Sequence, residues 1–185
     1  MNFIKTEIAD VVIIEPKVFQ DKRGYFFESY RADLFQKAIG NINFIQDNES
    51  FSSYGVLRGL HYQIPPFAQT KLVRVVKGKI LDVAVDIRKD SKTFKQFVAV
   101  ELSDTNRRQL FIPRGFAHGF IVLSDTAIVN YKVDNYYSKE CDRGILYSEI
   151  ELDWGVPNDK ILLSEKDLKQ PTIDKATLFS GDLYG

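Results

Sequence analysis

The chain has 185 residues, with 25 Lys and Arg against 25 Asp and Glu, so its formal net charge is zero. Apolar residues at 44% and charged residues at 27% are typical of a soluble globular protein with one sizeable core. This charge balance argues against electrostatic capture of nucleic acid or of an anionic membrane surface. We therefore expect neither as a partner, and an anionic ligand would have to be held by a few local cations.

The cysteine content and the N-terminus indicate the compartment. The single cysteine, Cys141, excludes an internal disulfide and fits a reducing environment. The N-terminus lacks a long apolar run followed by a small-residue cleavage site. No segment reaches the ~18 consecutive apolar residues of a membrane helix. The sequence therefore predicts a cytoplasmic protein without membrane contact.

Short β-like runs separated by turn residues begin near the N-terminus. In the first third of the chain they are VVIIEPKVF (11–19), GYFFESY (24–30) and GVLRGLHYQ (55–63). Between the second and third runs, RADLFQKAI at 31–39 predicts about two turns of helix.

The same pattern continues through the middle of the chain. ILDVAVDI (80–87) places four aliphatic side chains on one strand face and both aspartates, Asp82 and Asp86, on the other. Later runs are FVAVEL (97–102), LFIP (110–113), GFIVL (119–123) and AIVNYKV (127–133). Near the C-terminus, SEKDLKQ at 164–170 predicts one more short helix. Many short strands in under 200 residues predict an antiparallel sandwich or closed barrel whose interior can hold one ligand.

The two histidines, His61 and His118, are candidate functional residues. His61 lies in a predicted strand and, on pattern alone, could be a buried core side chain, a metal ligand or a base. His118 lies in PRGFAHGF, which has the spacing by which jelly-roll cupins place a late metal ligand. The earlier H-x-H and the following glutamate of such a site are missing, because Gln63 stands in place of the second histidine. Two histidines and a glutamine are a poor ligand set for zinc or iron, so we expect no metal.

Cationic side chains are close to His61 in sequence. Arg58 comes three residues before it, and Lys71 and Arg74 follow in TKLVRVV. Strand alternation directs Arg58 away from the His61 face, although the mouth of a barrel can bring both to one ligand. Cations around a neutral base suit a negatively charged substrate.

Three further features have structural explanations as good as functional ones. Tyr131 shares a strand face with aliphatic residues, as a core aromatic would. Ser164 and Asp167 have the N-cap and N3 spacing of a capping box. DKRGYFFES is either a hairpin with a packed strand or a cation (Arg23), a stacking surface and an acceptor (Glu28) within six residues.

Six motifs occur together in one order: DKRGYFFES, QDNESFSSYGVLRGLHYQ, QTKLVRVVKGKILDVAVDIR, LFIPRGFAHGF, YKVDNYYS and SEKDLKQP. Together they resemble the dTDP-4-dehydrorhamnose 3,5-epimerase family over residues 1–175. The resemblance implies a mainly β, cupin-type antiparallel jelly roll with a few short helices. It implies a single domain over 1–185, with the jelly-roll core at about 45–140, that forms a homodimer and needs no cofactor. The implied reaction inverts carbons 3 and 5 of dTDP-4-dehydro-6-deoxy-D-glucose in dTDP-L-rhamnose biosynthesis.

The resemblance also implies residue roles. His61 is similar to the general base, and Asp167 to the carboxylate that orients it. Tyr131 resembles the acid on the opposite face of the sugar, and Lys71 the lysine that stabilises the enolate oxygen. Arg23 and Arg58 resemble diphosphate-binding arginines, and the remaining expected substrate contacts are Phe26, Glu28, Gln46, Asn48, His118 and Tyr137. In this family the Arg23–Glu28 segment often comes from the neighbouring subunit.

Other functions fit the same residues. Related enzymes invert carbon 3 alone or carbon 5 alone, a non-catalytic sugar-binding cupin could keep the pocket, and a metal-dependent cupin is a third class. The intact set of His61, Lys71 and Tyr131 favours catalysis. General acid–base catalysis supplies only ~10²–10⁴-fold, whereas a donor at a developing oxyanion is worth about 2.7–4 kcal/mol. The epimerisation therefore needs the lysine as well as the base.

Overall fold

Two packed antiparallel sheets make up most of the computed structural model, which describes residues 1–181 and 183. The first sheet has the strand order β1 (Asn2–Lys5), β2 (Val12–Glu15), β10 (Gln109–Ile112), β7 (Lys71–Lys77), β12 (Thr126–Val133) and β5 (Gln46–Ser53). The second has the order β13 (Asp142–Gly144), β6 (Leu57–Gln63), β11 (Phe116–Val122), β8 (Lys79–Asp86) and β9 (Phe97–Ser103). The predicted mainly β jelly roll is confirmed.

The remaining elements are short. A separate hairpin consists of β3 (Phe19–Asp21) and β4 (Gly24–Phe26), and the helices are α1 (Ala32–Ala38) and α2 (Glu165–Leu168). Three single turns of 3₁₀ helix lie at Tyr147–Glu149, Asn158–Lys160 and Ile173–Lys175. Both predicted helices are present with shorter bounds. Within residues 1–181 and 183, no helix is long and apolar enough to cross a membrane.

Apolar side chains pack in three layers. The main cluster, including Val73, Phe120 and Val129, fills the space between the two sheets. The outer face of the five-stranded sheet is covered by residues from the C-terminal third, among them Trp154 and Phe179. On the outer face of the six-stranded sheet, Phe35 of α1 is buried with aliphatic and aromatic neighbours. The C-terminal third therefore closes a hydrophobic layer of its own.

Strand β8 carries its aspartates into the interior. Val83 and Val85 pack in the outer cluster under the C-terminal segment, whereas Ala84 packs between the sheets. Asp82 and Asp86 share the Ala84 face, and both are completely buried. The predicted alternation is confirmed, and the face with the charges is the one that points between the sheets.

A β-bulge in β6 changes which side chains share a face. In the pairing of β6 with β11, His61 is opposite His118 and Arg58 is opposite Phe120, so three steps on β6 match two on β11. Gly59 lies in this bulge at φ +137°, where a Cβ atom would be 2.6 Å from the Cα of Gly119. The extra residue turns Arg58 and His61 to the same cavity. The prediction that Arg58 points away from His61 is therefore wrong.

Strand β5 was not foreseen from the sequence. Its residues, QDNESFSS, are mostly polar, and every second side chain is exposed. It pairs with β12 over its whole length, from Gln46 opposite Val133 to Ser53 opposite Thr126. Nearer the N-terminus, the run 11–19 divides into two strands around Pro16, which has no backbone N–H to donate to a neighbouring strand.

Candidate active site

One end of the space between the sheets opens into a cleft. Two adjoining cavities, of about 440 and 320 Å³, share the side chains of His61, Lys71, Tyr131 and Lys166. His61 comes from the five-stranded sheet, whereas Lys71 and Tyr131 come from the six-stranded sheet. The two sheets therefore present an imidazole and a phenol from opposite walls of one cleft.

His61 forms a pair with Asp167. The Nε2 of His61 lies 2.5 Å from Oδ1 of Asp167, and the two residues are 106 positions apart in the chain. The His61 side chain is 32% exposed and the Asp167 side chain 5%. Because a carboxylate only accepts hydrogen bonds, His61 donates from Nε2 and keeps a lone pair on Nδ1. This arrangement is that of a base whose tautomer is fixed from behind.

The start of α2 holds the Asp167 carboxylate in place. Ser164 is the N-cap of α2, and its Oγ accepts a hydrogen bond from the Asp167 backbone N–H at 3.1 Å. Burial alone would raise the pKa of Asp167, but hydrogen bonds from His61, Ser164 and the Gly59 backbone lower it below its ordinary value. Asp167 is therefore ionised at neutral pH, and it both belongs to a helix cap and faces His61.

Lys71 lies beside the second histidine. Its Nζ is 3.5 Å from Nδ1 of His118, and Nε2 of His118 is 2.8 Å from Oδ1 of Asp82. Burial lowers the pKa of Lys71 to about 8, although the carboxylates of Asp82 and Asp142 oppose the shift. Burial also lowers the pKa of His118, and the ammonium of Lys71 lowers it further against the pull of Asp82. His118 is therefore a neutral imidazole next to an ammonium group.

Tyr131 and Arg58 also line the 440 Å³ cavity of the cleft. Burial raises the pKa of Tyr131, with Asp142 adding to the effect and Arg58 opposing it, so the phenol keeps its proton at neutral pH. The Nε of Arg58 donates to Oγ of Ser52 at 2.9 Å, which fixes the guanidinium at the cavity. The arrangement provides a proton donor and a fixed cation.

Polar residues line the adjoining cavity. Nε2 of Gln46 donates to Oδ1 of Asn48 at 2.8 Å, and both residues belong to β5. The hydroxyl of Tyr137 donates to Oδ2 of Asp142 at 3.0 Å, and the ring is largely exposed. Lys166 donates to the same Asp142 oxygen. This side offers amides, a cation paired with Asp142 and an exposed aromatic face.

Three predicted contacts lie elsewhere within one chain. Arg23 and Phe26 belong to the exposed β3–β4 hairpin and line a shallow depression there, separate from the cleft. The Arg23 side chain is 90% exposed and is paired with Asp21. Glu28 lies 3.7 Å from Arg31. The structure therefore brings together nine of the twelve predicted residues and leaves these three outside the cleft.

The sequence reasoning missed other residues of the cleft. Asp142 and Lys166 line it, and Asp82 supports His118 from the interior. An aspartate within the apolar run ILDVAVDI was a usable signal for Asp82, because an unpaired charge is rarely buried. Asp142 begins the short strand β13, in a stretch without apolar alternation, so nothing in the sequence marked it.

Gln63, at the position where a metal cupin would have a histidine, is fully engaged. Its Nε2 donates to the carbonyls of Phe67 and Tyr136, and its Oε1 accepts from the Ser138 N–H. The carboxamide thus connects two loops. In the part of the chain that the structure describes, no group of three or more His, Cys, Asp or Glu side chains could hold a metal ion.

A larger cavity, of about 650 Å³, lies away from this cleft. Its described lining includes Lys5, Asp10 and Arg88, but neither histidine. Arg88 is paired with Asp10 at 2.8 Å and with Asp86 at 2.7 Å. Since Arg88 is neutralised by two carboxylates and Arg114 of the same lining pairs with Asp134, this cavity has the character of a structural gap.

Comparison with known proteins identifies the family. The family model described as dTDP-4-dehydrorhamnose 3,5-epimerase matches residues 5–175. The chain belongs to this family. The enzyme of that name from Shigella flexneri is 58% identical over 171 residues, which cover 91% of this chain and 93% of the relative.

Solved structures of family members agree with the fold. The 3,5-epimerase from Elizabethkingia anophelis is 49% identical, covers 96% of this chain and 99% of its own, and has a TM-score of 0.91. The Legionella pneumophila epimerase, solved in complex with dTDP-4-keto-L-rhamnose, is 46% identical with a TM-score of 0.90 and covers 94% and 93%. The predicted family is confirmed.

Proposed function

We propose that this protein inverts carbons 3 and 5 of dTDP-4-dehydro-6-deoxy-D-glucose to give dTDP-4-dehydro-L-rhamnose in dTDP-L-rhamnose biosynthesis. The observation that carries the proposal is the cleft with an oriented base on one wall and a protonated phenol on the other. Family membership at 58% identity over nearly the whole chain supports the same substrate. A relative solved with dTDP-4-keto-L-rhamnose adds to that support.

The geometry matches the chemistry of the inversion. Nδ1 of His61 removes the proton next to the ketone, and the electron pair moves to the carbonyl oxygen. Lys71 donates a hydrogen bond to that developing enolate oxygen, a contact worth about 2.7–4 kcal/mol at other oxyanion sites. Tyr131 then returns a proton to carbon from the opposite side. Both carbons flank one carbonyl, so the same three groups serve both inversions once His61 has released its proton to solvent and Tyr131 has regained one.

The substrate is also anionic, and the cleft has cations for it. Arg58 is held by Ser52 and lines the 440 Å³ cavity of the cleft, where it would bind the diphosphate. Tyr137 presents an exposed ring beside the adjoining cavity, where it would stack on the thymine. The amides of Gln46 and Asn48 would bind the sugar or the nucleotide.

Deuterium exchange tests the function directly. The protein is incubated with dTDP-4-dehydro-6-deoxy-D-glucose in D₂O, and deuterium at carbons 3 and 5 is followed by NMR. We expect exchange at both carbons, and no exchange at either would reject the proposal. Exchange at carbon 3 alone, or at carbon 5 alone, would reassign the protein to a single-site epimerase. In Tyr131→Phe we expect exchange to persist while inversion is lost.

We also propose a cytoplasmic homodimer of single-domain chains in which the Arg23–Glu28 segment enters the partner's cleft. Within one chain the β3–β4 hairpin leaves Phe19, Tyr25 and Phe26 between 52% and 66% exposed, which is costly without a partner. Mixing the variants Arg23→Ala and His61→Asn after joint refolding tests the exchange. Mixed dimers should regain part of the activity, because one of the two sites is then intact. No recovery in a dimer proven by sedimentation would contradict a shared site.

A further inference from the structure

The interior end of the cleft contains a buried carboxylate that no step of the proposed reaction uses. Asp82 is completely buried, and its Oδ1 is 2.8 Å from His118 Nε2. No described residue forms a hydrogen bond with its second oxygen, Oδ2. A buried charge with one partner is costly, so its presence needs a reason.

The protons of this group can be assigned from donor and acceptor chemistry. As a carboxylate, Asp82 only accepts, so His118 must donate from Nε2. The lone pair of His118 is then on Nδ1, which faces the Lys71 Nζ at 3.5 Å. The ammonium therefore donates one of its three N–H groups to His118 and keeps two for the cleft.

The same assignment excludes His118 as a second base. Both of its ring nitrogens are engaged inside the protein, one by Asp82 and the other by Lys71. Its side chain is 7% exposed, against 32% for His61. A proton taken by His118 would place a positive charge directly beside the ammonium.

We propose that Asp82 is a positioning residue that acts through His118 to hold the Lys71 ammonium, in its protonated form, toward the enolate oxygen. The proposal rests on the proposed function and deepens it. The negative charge of Asp82 favours the protonated lysine, and the imidazole transmits its direction. The other titratable or charged groups that line the two cavities with Lys71 are His61, Arg58, Tyr62, Tyr131, Tyr137, Asp142, Lys166 and Asp167.

The test is Asp82→Asn, read through the pH dependence of turnover. The amide removes the charge and can donate to Nε2, which would turn an N–H of His118 toward the ammonium. We expect kcat to fall about 10- to 100-fold, as when the carboxylate behind a metal-bound histidine is lost, with KM little changed. The alkaline limb of the kcat/KM profile should move to lower pH, because Lys71 then loses its proton more easily. An unmoved limb would overturn the proposal.

Asp86→Asn is the matched control. It makes the same change on the same strand at an equally buried carboxylate, which is bound by Arg88, Ser91 and Thr93. Loss of the Asp86 charge should lower Tm without moving the alkaline limb of the kcat/KM profile. In a Lys71→Met background, Asp82→Asn should cause no further loss of exchange rate, since the two act as a unit. If the rate losses of Asp82→Asn and Lys71→Met multiply in the double variant, the two residues act independently and the coupling is contradicted.

A measurement on the unaltered protein keeps the proposal testable should Asp82→Asn fail to fold. The ¹⁵N NMR shifts of the two histidines, recorded without substrate, report the tautomer of His118 independently of activity. We expect the neutral Nε2–H form at pH 7. An Nδ1–H form or an imidazolium would overturn the assignment, whereas failure of the deuterium exchange assay would reject the function alone.

Discussion

Two neighbouring histidines of the five-stranded sheet each pair with an aspartate, His61 with Asp167 of α2 and His118 with Asp82 of β8. His61 and His118 are directly opposite each other on β6 and β11, and each donates from Nε2 to an aspartate. The His61 pair opens to the cleft and leaves Nδ1 as a basic lone pair. The His118 pair is buried, and its Nδ1 faces an ammonium. We therefore expect the number of engaged ring nitrogens, rather than the presence of an aspartate, to separate the proposed base from the proposed positioning group.

The largest loss of exchange rate should follow from replacing the histidine of the partly exposed His61–Asp167 pair. His61→Asn keeps a polar side chain of similar shape but has no basic nitrogen. We expect the exchange rate in D₂O to fall by at least ~10²–10⁴-fold, the usual contribution of a general base. His118→Asn is the comparison, and it should keep measurable exchange because His61 is intact. Substantial exchange in His61→Asn would reject the base assignment.

Asp167→Asn should have the next largest effect. The amide leaves the shape of the site intact but can stabilise the wrong tautomer of His61, a change that costs a serine protease about 10⁴-fold in kcat. We expect a smaller loss here, on the order of 10²-fold, since the Lys71 contact remains. Asp174→Asn is the control, an exposed carboxylate of the same segment that pairs with Lys95. Equal kcat for both variants would contradict the orienting role.

The pH profile should report the ionisation of Lys71, which lies beside the buried His118–Asp82 pair. Because the pKa of Lys71 is about 8, its ammonium is present below that pH and is lost above it. We expect kcat/KM, which reports the free enzyme, to fall as pH rises through about 8. In Lys71→Arg the guanidinium stays charged, so this limb should disappear even where the rate is lower. A limb near pH 8 that persists in Lys71→Arg would point to another group.

The smallest effect concerns the helix that carries Asp167. Ser164→Ala removes the N-cap of α2, which typically costs about 1 kcal/mol and roughly 2–4 °C in Tm for a chain of this size. Differential scanning calorimetry measures the change. Thr172→Ala is matched to it, because Thr172 precedes a 3₁₀ turn without a side-chain cap bond. Equal destabilisation by both would mean that the cap contributes nothing.

Periodicity predicted the strands with apolar alternation and both helices, because burial on one face leaves a repeat in the sequence. It could not predict β5, whose polar residues lie at an edge of the sheet and bury only one full side chain, Ser52. It also failed at Arg58, since a bulge depends on the close approach of Gly59 to Gly119, which are sixty residues apart. Local patterns do not contain such distant contacts.

The site residues were named by resemblance more than by physics. Tyr131 and Asp167 had good structural explanations, and the capping interaction of Ser164 with the Asp167 backbone is confirmed while the Asp167 carboxylate faces His61. Only the folded chain brings residues 61 and 167 together. The sequence placed Asp82 on the strand face opposite the aliphatic residues, but it does not say which of the two faces points into the interior.

The segment after Gly144 has a consequence for how the protein becomes active during synthesis. The segment that seals the outer hydrophobic cluster also delivers Asp167 to His61, across 106 residues. The strands of both sheets end by Gly144, so we expect a nascent chain to pair its sheets before this segment has emerged, while His61 still lacks the Asp167 carboxylate. If Asp167 orients His61 as proposed, a chain truncated before residue 145 should be inactive and should expose the apolar side chains that this segment covers.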